Sequence, residues 1–333
     1  MSTYLQSLNQ GLAEALATDV RVVMLGEDLH DPYGGAFKVS RGLSTRFPGR
    51  VISTPISEAG FTGVAAGMAI RGLRPVVEIM FGDFLTLCAD QIVNHITKFS
   101  RMYPGVSVPL VIRTPMGGGR GYGATHSQTL EKMFMGVTGL TVLAPSLAHA
   151  PGPLLRHASL TDNNPILFIE NKLLYGQTLL QSDDAELDVA LLHDDDGYPT
   201  ARVRNIPGHP ADLTLIAYGG SSRMVLEVMR NFRSEEISLC ALFPSRLAPL
   251  SVAPLLLHLQ SAGPILVVEE GSAGFNWGSE LSAQLYEQLF ARLKQPIRRL
   301  AAQDAVIPCR ADLEDEVLLT TAKIEATILE MLT

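Results

Sequence analysis

Glu58 is the residue that folding alone explains least well. It follows the short apolar run Val51-Ile52 and Pro55 in the stretch VISTPISEAGFTGVAAGMAIR, 51–71. The helix predicted to begin there carries Gly60, Gly63 and Gly67, and each glycine costs a helix about 1 kcal/mol relative to alanine. Gly63 and Gly67 lie four apart and share a face, which would let another backbone or a ligand approach closely. A carboxylate in the first turn of such a helix, just after a strand, would project from the end of a sheet, where open α/β sheets bind ligands. The alternative is a carboxylate that only complements the helix dipole in solvent.

His126 stands where a glycine loop, 117–123, gives way to a further predicted helix. Beside Ser127 and Gln128 it could be oriented by hydrogen bonds for acid–base work near neutral pH, or it could merely satisfy the turn. The loop contains Gly119-x-Gly121-x-x-Ala124, similar to a dinucleotide fingerprint. It follows its strand only after Arg-Thr-Pro-Met, however, and lacks the acidic residue expected further on. Asp90 and Gln91, among Cys88, Ala89, Ile92 and Val93, are expected to satisfy buried backbone groups across an interface. The chain has no G-x-x-x-x-G-K-[ST], H-E-x-x-H or G-x-S-x-G string, so nucleotide hydrolysis, zinc proteolysis and α/β-hydrolase chemistry have no support.

Positioning these residues requires alternating strands and helices. Apolar runs predict strands at 20–25, 50–54, 74–81, 108–115, 141–146 and 165–171, with helices at the N-terminus, after Glu58, and at 83–103, 128–136 and 147–161. A second set follows: strands at 213–220, 237–243, 264–271 and 297–302, helices at 221–233 and 278–293, and a terminal helix or helix pair. Such alternation implies mostly parallel sheets. The expected organisation is α/β with two domains, 1–180 and 212–333. They are joined by an acidic, then proline- and glycine-bearing crossing at 181–211.

The composition, 333 residues with 47% hydrophobic and 18% charged, is that of a globular chain with ample core. A formal net charge of −8 with no basic cluster argues against nucleic acid as a partner. Cys88, Cys240 and Cys309 are far apart and odd in number, which suits a reducing compartment better than a disulfide framework or a structural zinc site. The first residues do not read as a signal peptide and no apolar run is long enough for a membrane span, so a cytoplasmic location is expected.

LGEDL (25–29), YGGAFKVSRGL (33–43), ISTPISEAGFTGVAAGMAIRGLRPVVEIMF (52–81), DQIVN (90–94), THSQTLE (125–131), DNNPILFIENKLLYG (162–176) and VVEEG (267–271) occur in this order. Together they resemble the beta subunit of the thiamine-diphosphate-dependent component of 2-oxo acid dehydrogenases, the decarboxylating one. The resemblance covers nearly the whole chain and implies a transketolase-like fold, a pyrimidine-binding domain followed by a transketolase C-terminal domain. It sets Glu58 on the family's cofactor-activating glutamate, which bonds the pyrimidine ring nitrogen and so promotes deprotonation of the thiazolium carbon. Met80 and Phe84 fall on positions that pack on the pyrimidine ring. His126 falls on the histidine assigned to proton transfer as the acyl group passes to a lipoyl arm. Leu110, Ser159, Leu160, Asp162 and Asn164 fall on a monovalent-cation site, potassium in kind, built largely from backbone oxygens.

The resemblance also implies an absence. The family holds the diphosphate and its magnesium on a G-D-G…N motif, and this chain has no Gly-Asp-Gly. An alpha-type partner chain in an α2β2 assembly is expected to supply that half of the site. A lipoyl acyltransferase core and a small 2-oxo acid are the further implied partners. Departures cluster away from the cofactor face, at Ala241–Ser251, at Gly274–Gly278, and at Pro151 and Pro153, which are expected to interrupt a helix. Two other outcomes belong to related scaffolds: acetoin cleavage or carboligation with the same cofactor, and a non-catalytic scaffold, which would have no physical need for Glu58 or His126.

Overall fold

The computed structural model describes residues 2–193, 196–259 and 263–333. The chain begins with α1 (Tyr4–Thr18), started by a reciprocal cap in which Thr3 and Gln6 each bond the other's backbone N–H. There follow β1 (Val22–Gly26), α2 (Leu43–Arg46), β2 (Val51–Ser53), α3 (Glu58–Ile70), β3 (Arg74–Glu78), α4 (Thr97–Met102), β4 (Val111–Met116), β5 (Thr141–Leu143), α5 (Pro151–Leu160) and β6 (Ile166–Asn171). The second half contains β7 (Asp188–Leu192), β8 (Thr200–Arg204), β9 (Leu213–Ala217), α6 (Ser221–Ser234), β10 (Leu239–Pro244), β11 (Arg246–Ala248), α7 (Ala253–Leu259) and β12 (Ile265–Ser272). It closes with α8 (Trp277–Leu289), β13 (Arg298–Ala302), α9 (Ala311–Val317) and α10 (Thr321–Leu332).

Among the described residues, one sheet has the order β11-β5-β6-β4-β3-β1-β2 and the other β13-β12-β9-β10-β8-β7. Within the first, every pair from β5 to β2 is parallel, and only β11, lent by the second half, runs antiparallel against β5. The central strands β1, β3, β4 and β6 are buried along their whole length, as their largely apolar runs require, with Glu78, Arg113 and Glu170 among the buried exceptions. The chain leaves β1 toward β2 on one side and returns to β3 on the other. That reversal opens a crevice at the carboxyl ends of β1 and β3, the place where such sheets take ligands.

Four expectations change. Residues 83–103 are not one helix: 82–88 wind as 3-10, 91–96 as a π turn, and only 97–102 as α4. Asp83 is drawn off the helical path because its carboxylate accepts bonds from the Gln128 backbone and side chain. The helix expected at 128–136 shrinks to one 3-10 turn at Glu131–Met133. Pro151 does not interrupt a helix but starts one, at N1, where its missing N–H costs nothing. There Gly152 lies against α1 so closely that a Cβ would meet the Ser7 carbonyl, while its own N–H donates to Ser7 Oγ at 3.0 Å. Finally, the stretch 181–211 carries a hairpin, β7–β8, added antiparallel to the second sheet.

Candidate active site

The crevice collects the residues that follow β1, β2, β3, β4 and β6. Glu27 comes straight after β1 and Glu58 opens α3 after β2. Glu58 is 6% exposed, although Ile56, Ser57, Ala59 and Gly60 around it are open. It is therefore not a solvated helix-dipole carboxylate. Among the described residues nothing hydrogen-bonds to it, and its carboxyl oxygens keep some contact with the crevice, so a ligand entering there could supply the donor. Glu27 is buried beside it, with Oε1 unpartnered among the described residues. Burial first, then the Glu58 charge, pushes the Glu27 carboxyl above its usual range.

The wall of the crevice is aromatic. Phe81 is its hub, with ring centroids 4.8 Å from His126, 5.4 Å from Phe37, 5.7 Å from Phe84 and 6.0 Å from Tyr122. Phe84 also meets the His126 ring edge-on at 5.3 Å, and Met80 is half-buried just after β3. Phe84 and His126 are thus brought together, on segments distant in sequence. Glu58 belongs to the same crevice through α3, which packs on β3 and on 82–88. Phe37, Phe81, Tyr122, Glu27 and Lys172 were not singled out from the sequence. The only trace of them was their place just after apolar runs or inside the glycine and polar loops.

His126 Nδ1 lies 3.0 Å from Thr125 Oγ1. Its backbone carbonyl accepts a 2.5 Å bond from Lys172 Nζ. Lys172 is fully buried, its ammonium over the Phe81 ring at 5.1 Å, and burial pulls it down to about 8. The glycine loop is not available to a pyrophosphate: the Gly119 and Gly121 N–H groups donate to the Glu314 carboxylate at 2.8 and 2.9 Å. Asp90 is exposed and bonded by Asn94 within its own helix, so it does not satisfy buried groups in this chain.

Two clusters of buried charge flank the crevice. Under β3, β4 and β6 the fully buried Arg113 forks onto Glu170 at 2.6 and 2.7 Å and also reaches Glu78, while Tyr175 donates to Glu170 at 2.6 Å. Between the two halves, Tyr218 donates to Glu131 at 2.6 Å and the Gly278 N–H to Glu269 at 3.1 Å. Burial pushes Glu269 up to about 7; Glu131 adds to the rise and the Gly278 amide opposes it. A carboxyl raised in the folded state holds a proton that the unfolded chain releases. Its contribution to stability is full below the ordinary glutamate value of 4.5 and is lost as pH rises through about 7. The melting temperature of Glu269→Gln relative to the parent is therefore expected to climb between about pH 5 and about pH 8. Thermal melts across that range check it, and a difference that falls with pH would contradict it.

The expected cation positions are differently arranged. The carbonyls of Ser159 and Asp162 both accept bonds from the guanidinium of Arg74, the former at 2.6 Å. The Leu110 carbonyl accepts the Ile166 N–H at 2.9 Å. Leu160 is half-buried and Asn164 is exposed. Two of the five, the Ser159 and Asp162 carbonyls, thus already face the positive charge of Arg74. No group of three or more His, Cys, Asp or Glu side chains among the described residues could hold a metal. The thiamine pyrimidine fits better: a buried carboxyl lacking a donor for its ring nitrogen, with half-buried Met80 and Phe84 and the Phe81 ring for its flat face.

The sequence matches the family description "Transketolase, pyrimidine binding domain" over residues 1–178 and "Transketolase, C-terminal domain" over residues 205–324. A split-gene transketolase, described as an inactive beta4 tetramer, shares the fold with a TM-score of 0.71 at 18% identity, covering 99% of this chain and 98% of its own. The class is thus transketolase-like. Pyruvate dehydrogenase E1 component subunit beta of Leifsonia xyli is 35% identical, over 91% of this chain and 87% of its own. The mitochondrial subunit beta-2 of rice is 34% identical, over 94% and 81%. The beta subunit of acetoin:2,6-dichlorophenolindophenol oxidoreductase from Cupriavidus necator is 32% identical, over 96% and 94%. The chain belongs to the beta-subunit family of the thiamine-diphosphate-dependent 2-oxo acid dehydrogenase component. No helix among the described residues is long and apolar enough to cross a membrane.

Proposed function

We propose that this chain supplies the pyrimidine half of an active site that decarboxylates a 2-oxo acid and passes the acyl group to a lipoyl carrier. The observation that carries this reading is Glu58, buried and with no donor among the described residues, at the reversal of a parallel sheet. Bound there, thiamine diphosphate supplies the electron sink that lets carbon dioxide leave. Glu58 holds a proton against the pyrimidine nitrogen, and its burial makes that charge-assisted bond strong. Met80, Phe84 and Phe81 fix the ring and exclude water. His126, held edge-on between Phe81 and Phe84, moves a proton at an imidazole nitrogen as the acyl group departs.

The other half is assigned to an alpha-type subunit in an α2β2 assembly, holding the diphosphate and its magnesium. Two features support it. The 333 residues contain no Gly-Asp-Gly. Helix α3 is largely apolar, yet Val64 on it is 57% exposed, Gly67 faces open space and Ile56 just before it is 84% exposed, a surface that calls for cover. The test is thiamine diphosphate titration of the chain alone and of the chain co-purified with its alpha subunit, with and without magnesium. Tight, magnesium-dependent binding is expected only in the complex. Tight binding and turnover by the isolated chain would overturn the split site. The likeness to the acetoin-specific beta subunit favours a second reading, acetoin cleavage. Turnover of acetoin but of no 2-oxo acid would select it.

A further inference from the structure

We propose that Glu314, on α9 of the second half, is a positioning residue for His126, acting through the glycine loop; this rests on the reading of His126 given above. The loop from Gly117 to Gln128 leaves the end of β4 and is tied at several places. At its base the Gly117 N–H donates to the Gln128 carbonyl at 3.4 Å. Beside it Asp83 receives the Gln128 backbone and side chain at 3.3 and 2.8 Å, which fixes the loop to the segment carrying Phe84. Lys172 Nζ holds the His126 carbonyl from below. The remaining anchor, at the apex, comes from the other half of the molecule.

That anchor is a two-point one. Glu314 is 2% exposed and each of its oxygens takes one amide, Gly119 N–H at 2.8 Å and Gly121 N–H at 2.9 Å. Both glycines are in the left-handed region, with φ of 82° and 69°, and that turns amides two residues apart toward one carboxylate. Charge-assisted bonds of this kind are stronger than neutral ones and define direction as well as energy. Between the two glycines, Arg120 reaches back to the Lys172 carbonyl at 3.1 Å, so the apex anchor and the His126 anchor share one strand end. Among the described residues the segment after Gly123 joins no strand; its turn closes by the His126 N–H donating to the Gly123 carbonyl at 3.3 Å, which ties His126 to the apex. A catalytic group misplaced by about 1 Å can lose about a hundredfold in rate.

The simpler account is that Glu314 only satisfies two buried amides and helps hold the halves together. A double-mutant cycle on the assembled complex separates the two accounts. Lipoyl acylation is measured for the parent, Glu314→Gln, His126→Ala and the double variant, with assembly, melting temperature and cofactor affinity followed alongside. Glu314→Gln, whose amide group would oppose one of the two N–H donors, is expected to slow lipoyl acylation about ten- to a hundredfold. His126→Ala is expected to slow it about 10²- to 10⁴-fold, and the double variant to be no slower than His126→Ala. Losses that multiply in the double variant, or parent-like acylation in Glu314→Gln, would overturn the positioning role and leave the His126 reading standing. Parent-like acylation in His126→Ala would overturn both. Should Glu314→Gln fail to assemble, Glu314→Asp keeps the charge but is one methylene too short to reach both amides, and the same masking by His126→Ala is expected of it.

Discussion

Glu58→Gln is expected to abolish turnover of the assembled complex, by about 10²- to 10⁴-fold or more, while assembly and melting temperature stay at parent values. Gln is the same size and leaves the packing of α3 unchanged. Glu58 makes no hydrogen bond within the chain among the described residues, so the substitution removes no native contact. What it removes is a group able to give and take a proton at the pyrimidine nitrogen, and an amide cannot do this near neutral pH. Glu27, buried close by with Oε1 unpartnered among the described residues, makes the distinction sharper. With Glu58 uncharged, the largest charge acting on the Glu27 carboxyl disappears, so Glu27 titrates at a lower pH in the variant. Steady-state turnover with an artificial electron acceptor, together with sedimentation of the complex, checks the first part. Parent-like activity would sink the proposed role of Glu58.

Arg113→Met is expected to be the most destabilising single change in the first sheet. Arg113 is 1% exposed and is held between Glu170, which it grips with two nitrogens, and Glu78 on the neighbouring strand. Met fills much of the same space, so the effect is electrostatic rather than a cavity. Two carboxyls would lose their counter-charge in the interior, a break that costs about 3–5 kcal/mol in buried pairs, with a melting temperature lower by roughly 10 °C. Burial already raises Glu78 above its usual range, and Arg113 is the main influence pulling it back down. The loss should therefore be largest near neutral pH and smaller in mild acid, where the Glu78 carboxyl, raised by burial, can take up a proton. Adding Glu170→Gln to Arg113→Met should recover part of the loss. An unchanged melting temperature in Arg113→Met would show that the cluster carries little of the sheet's stability.

Much of the site could be read from the chain because its chemistry is local. A lone acid at the start of a glycine-bearing helix, a histidine at the end of a glycine loop and the alternation of apolar runs with helical stretches are all written in short windows of sequence. The strands of both sheets other than β7, β8 and β11 followed from the same kind of pattern, since a buried parallel strand needs a largely apolar run whatever its neighbours are. Where the expectations failed, long-range bonds had overridden local propensity. Residues 82–96 have a helical pattern, yet Asp83 is pulled toward Gln128 and the winding changes to 3-10 and π. β11 is three residues long and crosses from the second half to close the edge of the first sheet, which no periodicity could announce.

The sequence by itself determined the α/β class, the alternation of strands and helices, the place of Glu58 after β2, and the absence of a diphosphate motif. Each depends only on residue types at fixed spacing. The tertiary structure alone decided that Glu58 is buried with no donor among the described residues, that Phe81 is the aromatic hub where Phe84 and His126 meet, and that Arg74 faces the Ser159 and Asp162 carbonyls. It also decided that the glycine loop binds the carboxylate of Glu314 rather than a phosphate. Each of those facts joins groups from elements far apart in the chain, with Gly119 and Glu314 as the extreme case. A hydrogen bond across 195 residues leaves no local pattern, because its geometry exists only once both sheets have packed.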